Sequence, residues 1–486
     1  MISAQQYIAG QWLPGAGDAP RGDCLDPARG VVAAHFHDAG VADVRAAIGA
    51  ARQAFESTSW SRQPRLRSDV LRLFADRLEA RMEEVATLLV LLNGKLRREA
   101  LGEIAASISE LRYYAGLARN VFGRSIEVEP GCWSQLEREA IGVAAIIVPW
   151  NAPVTLLVRS LAPALAAGCT VVIKAAHQTA PVHQLVMECL TADARIPPGV
   201  INSFAESGAA GAEALCADPE VDVISFTGST RVGKAIARSA SQNLTRLSLE
   251  LGGKAPAIVF EDADIDAAVR GIVAGGTVMA GQMCTAIARV LVHESIRDAF
   301  TERLASALQA VRVGPGDDEQ SQMGPVIDRG SRDRLMRLLD EAHGEGAQVL
   351  HHGTLPATLP ANGAFVAPSL IAVQELSSRF IQEELFGPLL VLETFQSEAD
   401  AVLRANATRF GLAASLWGRD QTRMRRVARL MKTGTIWLNT HNRLFAEAET
   451  GGYRESGRGR LHGVEGLNDF LETKHLYHET GMLDRP

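Results

Sequence analysis

The sequence predicts an α/β protein with two doubly wound parallel sheets, and three observations support this prediction. Apolar strands alternate with helical segments from Ile141 to Phe226. The same alternation begins again at residues 256–260. A chain of 486 residues is also too long for one hydrophobic core and suggests two or three domains. In such sheets, ligands bind at the carboxyl ends of the strands.

Helices and one hairpin are predicted ahead of the α/β region. Residues 7–12 form a short strand and turn, and apolar residues then recur at helical spacing in three stretches, 41–55, 65–92 and 99–121. Residues 123–139 alternate around a Pro-Gly pair, which is typical of an extended hairpin. We therefore expect a surface hairpin here.

The predicted α/β region ends at a domain boundary. Its strands are 141–148, 170–174, 200–204, 221–226 and 246–251, and its first two helices are 156–167 and 180–192. The pattern restarts after Lys254, so we place the boundary near Gly252-Gly253. Residues 471–478 form a further predicted strand that could return to the hairpin.

The strand before this boundary carries a candidate general base. Leu247, Leu249 and Leu251 alternate with Ser248 and Glu250. The leucines therefore face a core, and Glu250 points the other way. A carboxylate at a strand end, beside a flexible Gly-Gly turn, is a plausible general base.

Cys284 follows that strand after a Gly-Gln-Met sequence that lets the backbone approach a ligand closely. A thiolate with a nearby carboxylate is the pattern of covalent catalysis followed by hydrolysis by an activated water. Taken singly, Glu250 is more often a solvated acid and Cys284 a buried apolar thiol. The assignment therefore needs support from other motifs.

Composition and charge exclude several classes of protein. The formal charge of −7 gives no basic surface for nucleic acid. The six cysteines are scattered without CxxC spacing, which argues against zinc and against a disulfide framework. The N-terminus lacks a signal peptide pattern, and the most apolar run, 85–92, is too short to span a membrane. We expect a cytoplasmic enzyme without a metal.

A second candidate site lies where a predicted strand gives way to a helix. Gly228 and Ser229 close the strand, and Val232 lies in the first turn of the helix. Free N–H groups at a helix N-terminus favour phosphate, although Ser229 also suits a simple helix cap. The G-x-G-x-x-G fingerprint of dinucleotide-binding proteins is absent.

Five motifs together resemble the aldehyde dehydrogenase superfamily of the hydrolytic, NAD(P)-dependent type, in order along nearly the whole chain. They are PWN at 149–151, Lys174, FTGS at 226–229, ELGGK at 250–254 with GQMC at 281–284, and EELFGP at 383–388.

The resemblance implies two Rossmann-like domains and a β-ribbon arm. Residues 1–122 and 140–252 would form the coenzyme-binding domain, and 253–465 the catalytic domain. Residues 123–139 and 466–486 would form an arm that joins subunits in a homodimer or homotetramer. A plain surface hairpin explains residues 123–139 almost equally well.

The resemblance also assigns roles in the reaction. Cys284 would attack the aldehyde, and Glu250 would activate the water that hydrolyses the thioester. The Asn151 side-chain amide would bind the oxyanion together with the Cys284 N–H, a contribution on the order of 3 kcal/mol.

For the coenzyme, NAD or NADP, the resemblance implies a set of contacts along the strand ends. They are Pro149, Trp150, Lys174, His177, Gly228, Ser229, Val232, Leu251, Glu384 and Phe386. Lys174 would bind the adenosine ribose and Glu384 the nicotinamide ribose. His177 stands where the family often has a Glu that accepts from the ribose 2′-OH and repels a 2′-phosphate. We therefore expect tolerance of NADP.

Three positions depart from the family pattern in a way that concerns the substrate. Ala152, Val278 and Thr450 stand where aromatic side chains often line the substrate tunnel, so a wide tunnel is expected. Arg159 resembles the arginine of semialdehyde and aromatic-aldehyde members, although a structural ion pair is nearly as good an explanation. The expected substrate is an aromatic aldehyde or an anionic semialdehyde, with a slight preference for the aromatic.

Two other functions remain open. A CoA-acylating dehydrogenase would form the same thioester, but such members tend to lack the Glu250 equivalent. A non-catalytic structural paralogue would have no need of Cys284, Glu250 and Asn151 together.

Overall fold

The computed structural model describes residues 2–14 and 21–481, and its strands form two large sheets and two small ones. In chain order the strands are β1 (Ser3–Ala4), β2 (Gln6–Ile8), β3 (Gln11–Leu13), β4 (Arg21–Asp26), β5 (Val31–His37), β6 (Arg124–Glu129), β7 (Cys132–Ala140), β8 (Val143–Ile147), β9 (Thr170–Ala176), β10 (Ile201–Glu206), β11 (Val223–Thr227), β12 (Arg246–Glu250), β13 (Ala255–Val259), β14 (Ile287–His293), β15 (Gln348–His351), β16 (Ser369–Ala372), β17 (Leu389–Phe395), β18 (Ala413–Trp417), β19 (Thr435–Leu438), β20 (Gly457–Arg458) and β21 (Leu471–Glu479).

The helices pack on the faces of these sheets. In chain order they are α1 (Val41–Ser57), α2 (Pro64–Ala80), α3 (Met82–Asn93), α4 (Arg97–Leu117), α5 (Pro153–Ala167), α6 (Ala180–Thr191), α7 (Ala210–Ala217), α8 (Thr230–Ala240), α9 (Ile265–Thr277), α10 (Arg297–Gln309), α11 (Arg329–Glu341), α12 (Arg379–Gln382), α13 (Glu398–Ala405), α14 (Gln421–Leu430) and α15 (Glu465–Asn468).

The first large sheet is doubly wound, as predicted. Its strand order is β20-β12-β11-β8-β9-β10-β2-β3, and β8 to β12 are mutually parallel. Strands β9 and β10 lie on one side of β8, and the chain then crosses over so that β11 and β12 lie on the other side. The carboxyl ends of β8 and β11 therefore flank a switch point, where such sheets bind ligands.

The second large sheet follows the same rule. Its order is β15-β16-β17-β14-β13-β18-β19, and only β15 runs antiparallel to its neighbour. The interior strand β13 is buried along its length, as expected for a strand covered on both faces. Strand β20 pairs antiparallel with β12, so residues 457–458 join the first sheet although they lie in the range predicted for the second domain.

The predicted hairpin forms a three-stranded ribbon with the C-terminal strand. β7 pairs antiparallel with both β6 and β21, in the order β21-β7-β6. Every residue of β6 is exposed. The predicted arm extends to residue 486, and its last residues, 482–486, lie outside the described part of the chain. Its role in joining subunits remains a prediction.

One helix prediction is wrong in detail. Residues 65–92 form two helices, because Arg81 leaves the helical conformation with φ −107° and ψ 15°. Its guanidinium binds Glu84 at 2.8 Å and Glu188 of α6 at 2.9 Å. The second contact is remote in sequence, so the local periodicity could not show it. Among the helices of residues 2–14 and 21–481, none combines the length and apolar character needed to cross a bilayer.

Candidate active site

A cavity of about 480 Å³ lies between the carboxyl end of the first sheet, the loops that precede β14 and β18 of the second sheet, and the exposed flank of α4. Its wall contains all three predicted catalytic residues, Cys284, Glu250 and Asn151. The four predicted substrate residues line the same cavity: Arg159, Ala152, Val278 and Thr450. Much of the remaining wall is apolar: Leu156, Met279, Met283, Leu412, Leu444 and Phe445. Seven side chains predicted from separate motifs therefore meet at one place.

Cys284 follows a tight turn whose backbone is strained. Met279, Ala280 and Gly281 have φ values of 48°, 55° and 71° in succession. A left-handed conformation costs a residue with a side chain roughly 1–2 kcal/mol. At Gly281 a Cβ would lie 2.4 Å from the Gly387 carbonyl, so only glycine fits. Burial raises the pKa of the Cys284 thiol to about 11, against the lowering effect of Arg159.

Asn151 reaches the cavity from the end of β8. It is 5% exposed, and its Nδ2 donates to the carbonyl oxygen of Gln282 at 2.9 Å. An amide nitrogen carries two hydrogens, so one remains for a second acceptor. Gln282 is itself held, since its Nε2 donates to Met279 O at 3.0 Å and its Oε1 accepts from Ile327 N–H at 2.9 Å. The amide donor is thus fixed to the loop that carries the thiol.

Glu250 is the last residue of β12, and its carboxyl group is buried. Desolvation raises the pKa of Glu250 to about 7, while Arg159 and Arg460 act to lower it. Within the described residues its Oε1 has no hydrogen-bond partner. A carboxyl group that titrates near neutrality, with a free oxygen at a cavity wall, suits proton abstraction from water.

Arg159 lies at the base of the cavity beside the catalytic pair. It is 6% exposed, and its Nη2 donates to the Thr227 hydroxyl at 3.0 Å. Thr227 is the register partner of Glu250 across β11 and β12. The Arg159 charge lowers the pKa values of both Glu250 and Cys284. Its contact with substrate remains a prediction.

The predicted coenzyme residues line the carboxyl edge of the first sheet. Pro149 and Trp150 follow β8, Lys174 lies in β9, and Gly228 follows β11. A carboxyl-edge location at the switch point suits a dinucleotide.

The N-terminus of α8 offers the phosphate site that the sequence indicated. Ser229 caps the helix by accepting from Val232 N–H at 3.4 Å. Behind it, a Cβ at Gly233 would lie 2.5 Å from Leu251, so the helix packs closely on the end of β12. The free N–H groups of this first turn fit a pyrophosphate.

Glu384 and Phe386 approach the same edge from the second half of the chain. Glu384 Oε1 accepts from Gly253 N–H at 3.1 Å, and burial raises the pKa of Glu384 to about 7. A Cβ on Gly252 would lie 2.2 Å from Glu384 Oε2. The Phe386 ring meets Trp150 edge to face at 5.8 Å. These residues, with those of the first sheet, fit a dinucleotide whose nicotinamide end lies at the cavity.

His177 follows β9 and is half-buried. Its ring packs against Phe36 with centroids 5.6 Å apart. Burial and the nearby Lys174 lower the pKa of His177, although Asp38 opposes them. Its imidazole is therefore neutral at pH 7 and offers no charge to a 2′-phosphate there.

Sequence reasoning missed three charged residues beneath the cavity. Lys95, Glu99 and Glu103 surround the first turns of α4 and contact the loops of Asn151 and Met279. Their only signal was two carboxylates four residues apart at a helix start, a pattern usually typical of a solvated face. In the part of the chain that the structure describes, no group of His, Cys, Asp and Glu could hold a metal ion.

A doubly wound sheet whose switch point suits a dinucleotide, facing a thiol and a buried carboxyl group, is the arrangement expected of a nucleotide-dependent oxidoreductase. The model of the aldehyde dehydrogenase family matches residues 12–476. Phenylacetaldehyde dehydrogenase of Pseudomonas fluorescens is 36% identical over 97% of this chain and 95% of its own. Succinate-semialdehyde dehydrogenase of Paenarthrobacter nicotinovorans is 38% identical over 89% of this chain and 96% of its own.

A solved structure agrees with this match. Betaine aldehyde dehydrogenase of Staphylococcus aureus, a point mutant in complex with NAD+, superimposes with a TM-score of 0.96 at 36% identity, covering 99% of this chain and 97% of that one. The chain therefore belongs to the aldehyde dehydrogenase family. It is an NAD(P)-dependent enzyme that oxidises aldehydes, and the predicted family is confirmed.

The raised pKa of Glu250 gives a first prediction. Glu250 must lose its proton to act as a base, so turnover at saturating substrates should rise with pH through a midpoint near 7. An exposed Glu, with a pKa of about 4.3, would give a flat profile there. Because the Arg159 charge lowers this pKa, Arg159→Met should move the midpoint upward. A profile flat from about pH 6 to 8, or a midpoint that Arg159→Met leaves in place, would contradict the assignment.

Proposed function

We propose that the chain converts an aldehyde to the carboxylic acid by covalent catalysis at Cys284, with hydrolysis of the thioester. The observation that carries the proposal is the convergence of Cys284, Glu250 and Asn151 on one cavity wall. Each supplies a different requirement of acyl chemistry: a nucleophile, a base and an oxyanion donor.

The first step needs a base, because the thiol holds its proton tightly. With a pKa of about 11, only about one Cys284 thiol in 10⁴ is ionised at pH 7. Glu250, whose pKa is about 7, is the available acceptor for that proton. The thiolate attacks the aldehyde carbon, and the resulting thiohemiacetal oxyanion accepts from the free hydrogen of Asn151 Nδ2.

The second step releases the acid. When bound, the nicotinamide ring supplies the hydride acceptor, and oxidation leaves an acyl group on the Cys284 sulfur. Glu250 releases the proton of the first step to solvent and then takes a proton from water, which attacks the thioester carbonyl while Asn151 again holds the oxyanion. The Cys284 thiolate leaves and regains its proton from Glu250. The buried carboxyl group of Glu250 favours this outcome over transfer of the acyl group to CoA.

The cavity favours a neutral, ring-sized substrate over an anionic semialdehyde. Its wall carries five carboxylates: Glu99, Glu103, Glu110, Glu250 and Glu447. Opposing positive charge comes from Arg159, and Lys95 lies behind the wall against Glu103. A second carboxylate on the substrate would enter a negative field, where desolvation and repulsion both oppose it. The apolar side chains suit an aromatic ring.

The likeness to phenylacetaldehyde dehydrogenase supports an aromatic substrate, while the likeness to succinate-semialdehyde dehydrogenase keeps the anionic class as the second candidate. The cavity charge favours the first of these classes, and we propose the aromatic aldehyde. For the coenzyme we propose that NAD serves and that NADP is tolerated, because no carboxylate stands at His177.

Substitution of the nucleophile and the base should stop different steps. Cys284→Ser should abolish turnover, because a hydroxyl holds its proton far more tightly than a thiol and Glu250 is too weak a base to activate it. Glu250→Gln should slow the NADH burst, because the thiol loses its proton acceptor, and should stall hydrolysis, so that NADH formation stops near one equivalent per site, measured by stopped-flow absorbance. Cys132→Ser, at a thiol in the ribbon, is the matched control and should retain activity. Normal turnover of Glu250→Gln would contradict the base assignment.

Coenzyme preference should depend on His177. Activity with NADP should be measurable. The ratio of kcat/KM with NADP to kcat/KM with NAD, in which the protonation of Glu250 cancels, should increase as the pH falls below 6.5, since burial lowers the pKa of His177. His177→Glu should shift preference towards NAD, and His177→Gln should remove the pH dependence without adding charge. Steady-state kinetics with both coenzymes over a pH series would measure this. An enzyme inert with saturating NADP would contradict it.

Tunnel width can be tested at Gly102, which lies on the cavity side of α4. A Cβ there would meet nothing within 4 Å, so Gly102→Leu fills the cavity without a clash. We expect kcat/KM for a benzaldehyde-type substrate to fall roughly tenfold or more, while acetaldehyde is spared. Gly116→Leu, equally open on the same helix but outside this cavity, is the control.

The role of Arg159 can be tested by comparing kcat/KM for benzaldehyde-type, succinic-semialdehyde-type and short aliphatic substrates. Arg159→Ala should cost about 1–3 kcal/mol in kcat/KM with a polar ring substrate if the contact exists. Acetaldehyde as the best substrate, with no effect of Arg159→Ala, would contradict the tunnel assignment. A preference for succinic semialdehyde would select the second candidate.

A further inference from the structure

Three charged side chains below the cavity have no place in the chemical steps. Lys95 is 2% exposed and lies in the turn between α3 and α4, and Glu103 is 9% exposed in α4. The Lys95 ammonium pairs with the Glu103 carboxylate. Glu99 lies one turn before Glu103 on the same helix. Buried charges are costly, and replacement of such a pair by apolar residues is often harmless to stability. Their presence here calls for an explanation other than stability.

Lys95 and Glu103 hold the Asn151 loop on both sides. Lys95 Nζ donates to the Asn151 carbonyl oxygen at 2.9 Å. Glu103 Oε1 accepts from the N–H groups of Val154 at 2.8 Å and Thr155 at 3.3 Å, the first turn of the helix that follows Asn151. The backbone on either side of the amide donor is therefore tied to one buried ion pair.

Glu99 holds the loop of the nucleophile. Its Oε1 accepts from Met279 N–H at 2.9 Å, and its Oε2 accepts from Leu96 N–H at 2.9 Å. Met279 is the first of the three consecutive residues with positive φ that lead to Cys284. Lys95 Nζ also contacts Met279 Sδ at 3.6 Å. A strained loop persists only when its surroundings fix it, and Glu99 supplies such a contact.

The turn that carries Lys95 is itself wedged against the second half of the chain. A Cβ at Gly316 would lie 2.1 Å from Lys95 O, and one at Gly324 would lie 2.1 Å from Gly94 O. Arg97 N–H donates to Gly316 O at 3.1 Å. The turn that carries Lys95 is therefore packed closely against the half of the chain that contains Cys284.

We propose that Lys95, Glu99 and Glu103 form a positioning clamp, which sets the separation of the Asn151 amide and the Cys284 thiol in the oxyanion state. The clamp residues touch no reacting atom; they act through the Asn151 carbonyl and the Met279 N–H. The proposal rests on the roles given above to Cys284 and Asn151. A displacement of about 1 Å at such a site can cost on the order of 100-fold in rate.

The decisive variant removes the Lys95 bond and keeps the helix cap. In Lys95→Met/Glu103→Gln, the Gln oxygen still accepts from Val154 N–H, and the Met side chain fills the space of the lysine stem. The double variant should recover most of the melting temperature lost by Lys95→Met alone, which leaves Glu103 charged and unpaired. Its NADH burst rate and its rate of thioester hydrolysis should both remain about 100-fold slow, because Asn151 holds the oxyanion in both steps, while KM for NAD changes less.

The thiol side has a separate readout. Glu99→Ala should alter the rate at which iodoacetamide alkylates Cys284, because the Met279 turn loses its acceptor. Glu99→Gln retains an acceptor oxygen and should restore most of the burst rate. Arg426→Met/Glu398→Gln, the same change at a surface pair 2.7 Å apart, should leave burst and alkylation rates unaltered.

Two outcomes would overturn the clamp. One is a normal burst rate in Lys95→Met/Glu103→Gln, and the other is activity that follows the melting temperature across all variants, as a merely structural pair would give. Failure of the proposed function would look different, since Cys284→Ser or Asn151→Ala would then remain active. If Cys284→Ser and Asn151→Ala are inactive while the clamp variant has a normal burst rate, the clamp is rejected and the proposed function stands.

Discussion

The hydrogen bond from Asn151 Nδ2 to the Gln282 carbonyl is the contact on which the site depends. Asn151 lies in the loop that follows β8 of the first sheet, and Gln282 belongs to the loop that precedes β14 of the second. The bond therefore ties the loop of the proposed oxyanion donor directly to the loop of the proposed nucleophile. A second crossing, from Gly253 N–H to Glu384, fixes the coenzyme side. This second crossing needs a glycine, because a Cβ at Gly253 would lie 2.6 Å from Cys284 O.

Burial at this junction sets the electrostatics of the reaction. The same desolvation raises the pKa of Cys284 and of Glu250. The Cys284 thiol therefore stays protonated at neutral pH, whereas the Glu250 carboxyl group titrates near pH 7 and suits the proposed role of a base. Arg159 offsets part of both shifts from a position behind the pair. Its buried hydrogen bond to Thr227 holds the charge in place without neutralising it. The arginine that the sequence assigned to substrate is thus also an electrostatic partner of the catalytic pair.

The features that could be predicted from the sequence are those that depend on local residue patterns or on motifs. Period-2 leucines located β12 and the direction of Glu250, and continuous apolar runs located β8 and β13, because those patterns follow from burial of one or both faces. The break at Arg81, the return of β20 to the first sheet and the neutral state of His177 depend on partners remote in sequence. No periodicity records such contacts, so these features needed the structure.

The charged residues at the start of α4 are the clearest example of a feature that local sequence patterns do not reveal. Glu99 and Glu103 have the spacing of a solvated helical face, and Lys95 lies in a turn that marks only the end of α3. Tertiary packing turns this polar face inward, where a low dielectric strengthens each hydrogen bond to the active-site loops. The exposed Gly102 on the neighbouring face leaves the tunnel open. In our proposal α4 therefore has two roles, since its buried side positions the loops of Asn151 and Cys284 while its cavity side leaves room for a large substrate.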